Sequence, residues 1–185
     1  MPASASSAGL IEMRLMELNQ LFNSMDPSPF HERDLDQDAE EFIVSWAQEH
    51  PRQHELRLII HLARAPSSTP DPQRLVSESL AHYFNYRADM TLHSLKRLLR
   101  EGRTALLVGL TFLITCQLMA TMLPAATGGW QWMAREGLTI LGWVAMWKPL
   151  DIYLYCWWPL IASRRLYRRL AIMHVEVRYP STAAT

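Results

Sequence analysis

The sequence predicts an α+β membrane protein, in which a two-helix transmembrane hairpin carries a small cytoplasmic domain of about three strands and two helices. Three observations lead there. Residues 104–123 (TALLVGLTFLITCQLMATML) form a stretch of twenty residues without a charge; as a helix it is about 30 Å long, the thickness of a bilayer's hydrocarbon core. Residues 138–162 form a second apolar stretch whose only charges are Lys148 and Asp151. Outside these stretches, short segments at both ends of the chain alternate apolar and polar residues with period two, the pattern of half-buried strands.

Whole-chain averages conceal this layering. The 185 residues hold 18 basic and 18 acidic side chains, a net charge of zero, with 49% hydrophobic residues. So much apolar material excludes a disordered chain, and zero net charge argues against a dedicated nucleic-acid binder. Two cysteines exclude a disulfide scaffold or a Cys-rich metal cluster.

Taken in order, residues 1–9 (MPASASSAG) are small and polar, with neither the basic nor the apolar region of a signal peptide, so targeting is expected to fall to the first span. Residues 10–22 fit two patterns: Ile11, Leu15, Leu18, Phe22 and Met25 make a helical stripe, while Ile11, Met13 and Leu15 alternate as a strand. FNSMDPSPF ends the element, because Asp26-Pro27 and Ser28-Pro29 favour turns. A helix is expected over 35–49, with Leu35, Ala39, Phe42, Ile43 and Trp46 on one side, Asp34 as its cap and Pro51 as its stop. His54 to Leu62 alternates as a strand over 54–62. Asp71-Pro72 opens a second helix, 72–101, that can continue into the first span with Gly102 as the expected bend. After the second span, residues 171–179 place Met173, Val175, Val177 and Tyr179 on one face of a strand. That strand needs a partner for its backbone groups and can find one at 54–62. Residues 10–18 are then most economically a third strand.

The resulting organisation is an N-terminal tail (1–9), a cytoplasmic α+β domain (10–103), a first span (104–123), an external loop (124–137) and a second span (138–162). A basic collar and strand that rejoin the domain (163–179) and a tail (180–185) complete it. Orientation follows from flanking charge. Lys96, Arg97, Arg100 and Arg103 precede the first span, and Arg164, Arg165, Arg168 and Arg169 follow the second. The loop has Arg135 offset by Glu136, so the positive-inside rule puts both termini in the cytoplasm. Trp130 and Trp132 then sit at the outer interface, and Trp157 and Trp158 at the inner one. Cys116 and Cys156 fall at different depths, which disfavours a disulfide within one hairpin.

QLFNSMDPSPF, DLDQDAEEFIVSWA, the strand ending IIHL, the two spans and RRLYRRLAIMHVEVR together resemble an uncharacterised family of small bacterial membrane proteins, over about residues 11–178. The resemblance implies this architecture and a location in the bacterial inner membrane; it brings no catalytic residue. Sixteen arginines against two lysines also fit a GC-rich bacterial genome.

The candidate intramembrane polar site is Lys148 and Asp151, with Thr111 and Thr115 at similar depth on the first span. Counted from Gly137, Lys148 lies about 16 Å deep and Asp151 about 21 Å. Their i,i+3 spacing allows an ion pair, and Pro149 frees the carbonyl of Ala145. Such a site either lines an ion path or receives a partner's charge in an oligomeric bundle, or it is an ion pair in a kinked hairpin. The acidic run Asp26–Glu49 reads as a capped helix end with a solvated face; DLDQD lacks the glycine and the closing glutamate of a calcium loop. His50 and His54 straddle Pro51, which breaks the helical geometry of a metal pair, and His31 stands beside Glu32. The seven glycines are scattered and fit no nucleotide-binding pattern, and no nucleophile motif occurs. No catalytic, cofactor-binding or metal residue is assigned. The eight collar cations are assigned to lipid contact.

Functionally, the sequence points to a non-enzymatic, membrane-anchored binding or assembly module whose partners are the lipid bilayer and either further copies or a cytoplasmic protein. A small oligomeric channel or transport accessory using Lys148 and Asp151 is the alternative, and a lipid-acting enzyme is the least supported. The orientation is testable. A cysteine placed at Ala126 should react with a membrane-impermeant maleimide in intact spheroplasts. Reaction only after permeabilisation reverses the topology.

Overall fold

The computed structural model describes residues 9–23, 33–51, 55–64, 71–123 and 129–179. The expected turn at 24–30, His31, Glu32, His54, the loop 65–70, the connection 124–128 and both tails lie outside the described residues. The chain divides into two compact units, Met1–Met90 with Ser163–Thr185, and Thr91–Ala162.

The first unit is built on a sheet. Strands β1 (Gly9–Leu15), β2 (Leu56–Leu62) and β3 (His174–Arg178) lie in the order β1-β2-β3, and both pairings are parallel. Alternation sorts the side chains. Ile11, Leu58 and Val175 form one rank across the strands, and Met13, Ile60 and Val177 the next, all buried. Helix α1 (Gln37–Glu49) contributes Ala39, Ile43 and Ala47 to the same core. Val76, Leu80 and Phe84 come from the start of helix α2 (Pro72–Met122), and Leu170 from helix α5 (Trp157–Ala171).

Element ends depart from the expectations for local reasons. β1 stops at Leu15 rather than 18 because Glu17 and Gln20 cap each other's backbone and start a 3-10 turn at Leu18–Leu21. α1 begins at Gln37, two residues late. Leu35 is drawn into an antiparallel bridge with Phe22, and the Asp36 N–H donates to the Leu21 carbonyl at 3.0 Å. The cap is therefore Asp36, whose carboxylate accepts the Asp38 N–H at 3.1 Å, and Asp34 stays outside the helix. Asp71 caps α2 as its sequence suggests, accepting the Arg74 N–H at 3.1 Å. β3 is shorter than 171–179 because α5 continues to Ala171.

One polar cluster ties the helices of this unit together. Glu40 on α1 accepts the Tyr83 hydroxyl at 2.7 Å and Arg87 Nη2 at 2.7 Å, both from α2. Arg87 lies over the Tyr167 ring of α5 at 5.5 Å, and Tyr167 stacks on Phe84. Burial first, then the hydrogen bond to Glu40 and its charge, push the Tyr83 phenol above its ordinary value.

The second unit is helical. α2 runs without interruption through Gly102, where a bend was expected. Gly102 serves close packing instead: a Cβ there would stand 2.7 Å from the Ile152 side chain. α2 is the one helix among the described residues long and apolar enough to cross a membrane, by length and composition. The second apolar stretch is not one helix. It breaks into α3 (Trp130–Ala145), a turn at Met146, α4 (Trp147–Asp151) and a π-helical segment, Ile152–Cys156, that leads into α5.

Replacing Glu40 with Ala should lower stability by about 2 kcal/mol, since two donors lose a charged acceptor while half-exposed Arg87 recovers water. Thermal unfolding in mild detergent measures this. The neutral Tyr83 phenol is the donor, and its pKa is raised on folding. Its contribution is therefore complete below about pH 10 and is lost as pH rises toward the folded-state value. Alkaline destabilisation should accordingly be shallower in Tyr83→Phe than in the wild type.

Candidate functional site

The expected polar site is only partly assembled. Lys148 and Asp151 lie on α4, Lys148 exposed and Asp151 half-buried, and no ion pair joins them among the described residues. Asp151 instead accepts the Cys156 thiol at 3.5 Å across the π-helical segment. The Thr111 and Thr115 hydroxyls donate to the carbonyls of Leu107 and Thr111, one turn back on their own helix, at 2.9 and 2.8 Å. They are exposed and do not complete a site with Lys148.

The break around Lys148 has a backbone cause. Pro149 has no N–H for the carbonyl of Ala145, and Pro159 none for the turn before it. Between them the chain takes the wider π register, and the Trp157 indole N–H donates to the Tyr153 carbonyl at 2.8 Å. The carbonyl of Ala145 lies against Gly109: a Cβ on Gly109 would stand 2.9 Å from that oxygen. Gly142 in turn meets Leu113 and Cys116, where a Cβ would lie 2.9 Å from Leu113. Gly102, Gly109 and Cys116 are spaced by seven, so one face of α2 carries small residues along its contact with the second apolar stretch, the second arm of the helical unit. Gly102, Gly109 and Gly142 therefore serve packing, and the heptad spacing of the first two was the available signal.

The collar cations follow their helices. Lys96, Arg97, Arg100 and Arg103 are exposed along α2, and Arg165 and Arg168 are exposed on α5, where Arg164 and Arg169 are half-buried. Arg169 departs from a lipid-facing role, since its Nη2 donates to the Pro51 carbonyl at 3.2 Å. His50 Nδ1 lies 2.8 Å from the Trp46 carbonyl and finishes α1. No group of three or more metal-ligating side chains converges among the described residues. A polar cleft of about 410 Å³ between α2 and α3 is lined by Gln117, Thr121, Trp132, Arg135, Glu136 and Thr139; it holds no nucleophile paired with a base.

The most ordered array of charge lies on the second face of the sheet, where pairing of the strands aligns polar residues that no single segment of the sequence brings together. Opposite the core, the register aligns three rows across the strands: Leu10, Arg57 and His174; Glu12, Ile59 and Glu176; Arg14, His61 and Arg178. Ile59 is buried at the centre, His61 and Glu176 are half-buried, and the other six are exposed. Arg178 Nε donates to Glu176 at 2.8 Å, and His61 Nε2 lies 3.9 Å from Glu12. The Arg178 hydrogen bond, then its charge and those of His174 and His61, hold the Glu176 carboxyl below its usual range. An acidic row thus lies between a mixed row and a wholly basic one. All-parallel sheets are ordinarily covered on both faces, so this open face is a departure.

In comparisons with known proteins, the chain matches no family model, no curated protein and no solved structure.

The packing of the two arms is testable. Gly109→Ala should destabilise the protein by about 1–3 kcal/mol, because a methyl must displace a backbone carbonyl. Gly137→Ala, with nothing within 4 Å, should be neutral or gain up to about 1 kcal/mol from helix propensity. Melting temperatures of both variants in one detergent decide it.

Proposed function

We propose that the protein is a membrane-anchored assembly module, in which α2 and the broken second arm form a two-crossing hairpin. Its sheet domain, on the side of both termini, binds a cytoplasmic partner or further copies. The observation that carries this reading is the pairing of β2 with β3. These strands flank the whole helical stretch in sequence and yet share one sheet. A chain that crosses a membrane on α2 must therefore cross back before β3. The second apolar stretch supplies a return path. The small-residue contact between the arms supports close helix packing of the kind found in membranes. Cationic collars at both ends of the helical stretch support cytoplasmic termini, and the bacterial inner membrane is the proposed setting.

Exposed Lys148 favours assembly over an isolated hairpin. A lysine near mid-depth costs about 2.5–3.5 kcal/mol against lipid, a cost that a neighbouring protein surface relieves. The same residue keeps a second reading in view, an oligomeric channel or transport accessory. Among the described residues no nucleophile is paired with a base, and an enzyme has no observation in its favour.

Lys148→Leu with Asp151→Leu separates the two readings. The assembly module should keep its expression and its complexes. Loss of ion flux in proteoliposomes, with expression and complexes unchanged, establishes the channel instead. A protein recovered monomeric and without a partner from native membranes overturns the assembly reading.

A further inference from the structure

We infer that the open face of the sheet is a docking surface for a second copy of this chain, which packs face to face through its acidic and basic rows. The inference rests on the assembly reading and names the partner and the surface.

The register makes the face self-complementary in one orientation. Place a two-fold axis across the strands, midway between the row Glu12–Ile59–Glu176 and the row Arg14–His61–Arg178. Each residue of one row then faces the same strand's residue of the other row in the second copy. Glu12 meets Arg14, Glu176 meets Arg178, and Ile59 meets His61, each contact occurring twice as an isologous interface requires. Four opposed carboxylate–guanidinium pairs result, around a centre of two isoleucines and two histidines. Turning the axis along the strands gives the reverse: Glu12 would face Glu176, and Arg14 would face Arg178. Like charges are then opposed at each corner. The same six residues therefore select one orientation and reject the other.

Stacked sheets lie about 10 Å apart, a gap that opposed Glu and Arg side chains can bridge. Arg178 and Glu176 already pair within a strand, so docking exchanges partners without exposing a bare charge. Three short strands present only a few hundred Å² per copy, below the roughly 800 Å² of a stable interface between free proteins. The contact thus suits copies confined to one membrane, where anchoring raises effective concentration.

The test uses full-length chains carrying two different tags and co-expressed in one membrane. Glu12→Arg with Glu176→Arg makes both rows basic, and Arg14→Glu with Arg178→Glu makes both acidic. Wild-type copies should co-purify. Each double variant should pair with itself at least about tenfold less, and the two variants expressed together should recover wild-type pairing. Recovery also shows that both are folded. Should either double variant fail to fold, the single reversals Glu176→Arg and Arg178→Glu repeat the test. Self-pairing of the variants at the wild-type level overturns the docking face and leaves the assembly module standing. So does reversal without recovery in the mixture. Wild-type copies that never co-purify also overturn it. Recovery of every form in the soluble fraction would overturn membrane anchoring, and the mixing result would still judge the face.

Discussion

The structure depends on β2. As the central strand of three, it must satisfy its backbone groups on both sides, and both neighbours run parallel to it. A parallel neighbour cannot be reached by a tight turn. β1 comes from the start of the chain by way of a crossover containing α1. β3 comes from residues 174–178, after every helix has been made. The sheet can therefore close only when the helical stretch has returned the chain to where it left. Contacts of such sequence separation are slow to form, and the helices, whose contacts are local, have time to form first.

The irregular second arm follows from two prolines and from the surface it meets. Pro149 and Pro159 each remove a helical N–H. The carbonyl of Ala145, which Pro149 leaves without its helical donor, is placed against the bare Cα of Gly109, and within the π-helical turn the Trp157 indole N–H donates to the Tyr153 carbonyl. Gly109 and Pro149 are thus one feature: the glycine leaves room for the carbonyl that the proline releases. This also explains why one stretch of even hydropathy is not one helix. Hydropathy counts side chains, while the break lies in the backbone.

What was legible in the sequence was periodic. Ile11/Met13, Leu56/Leu58/Ile60 and Val175/Val177 placed the strands to within a few residues, because alternation tells which face is buried. It does not tell strand direction, and the parallel arrangement was out of reach. The late start of α1 was hidden because Leu35 fits the helical stripe and is claimed by Phe22, a residue distant in sequence. Lys148 and Asp151 were found by their cost in lipid, yet their spacing did not make them a pair. Rotamers and the π register decide that, and composition carries neither. The charged rows needed both registers at once, so no single strand could disclose them.

That last point bears on what kind of surface the sheet face is. A patch of one sign attracts any oppositely charged partner over a Debye length of about 8 Å, and the arginines along α2 and α5 have that character. Rows that change sign at the i,i+2 spacing of a strand, about 7 Å, cancel at such distances. Their field survives only near contact, and only a surface with matching spacing can use it. An alternating face therefore contributes little to attraction from afar and much to register and orientation. In a chain of zero net charge, the basic segments carry a field that reaches beyond contact, whereas the alternating sheet acts only at contact.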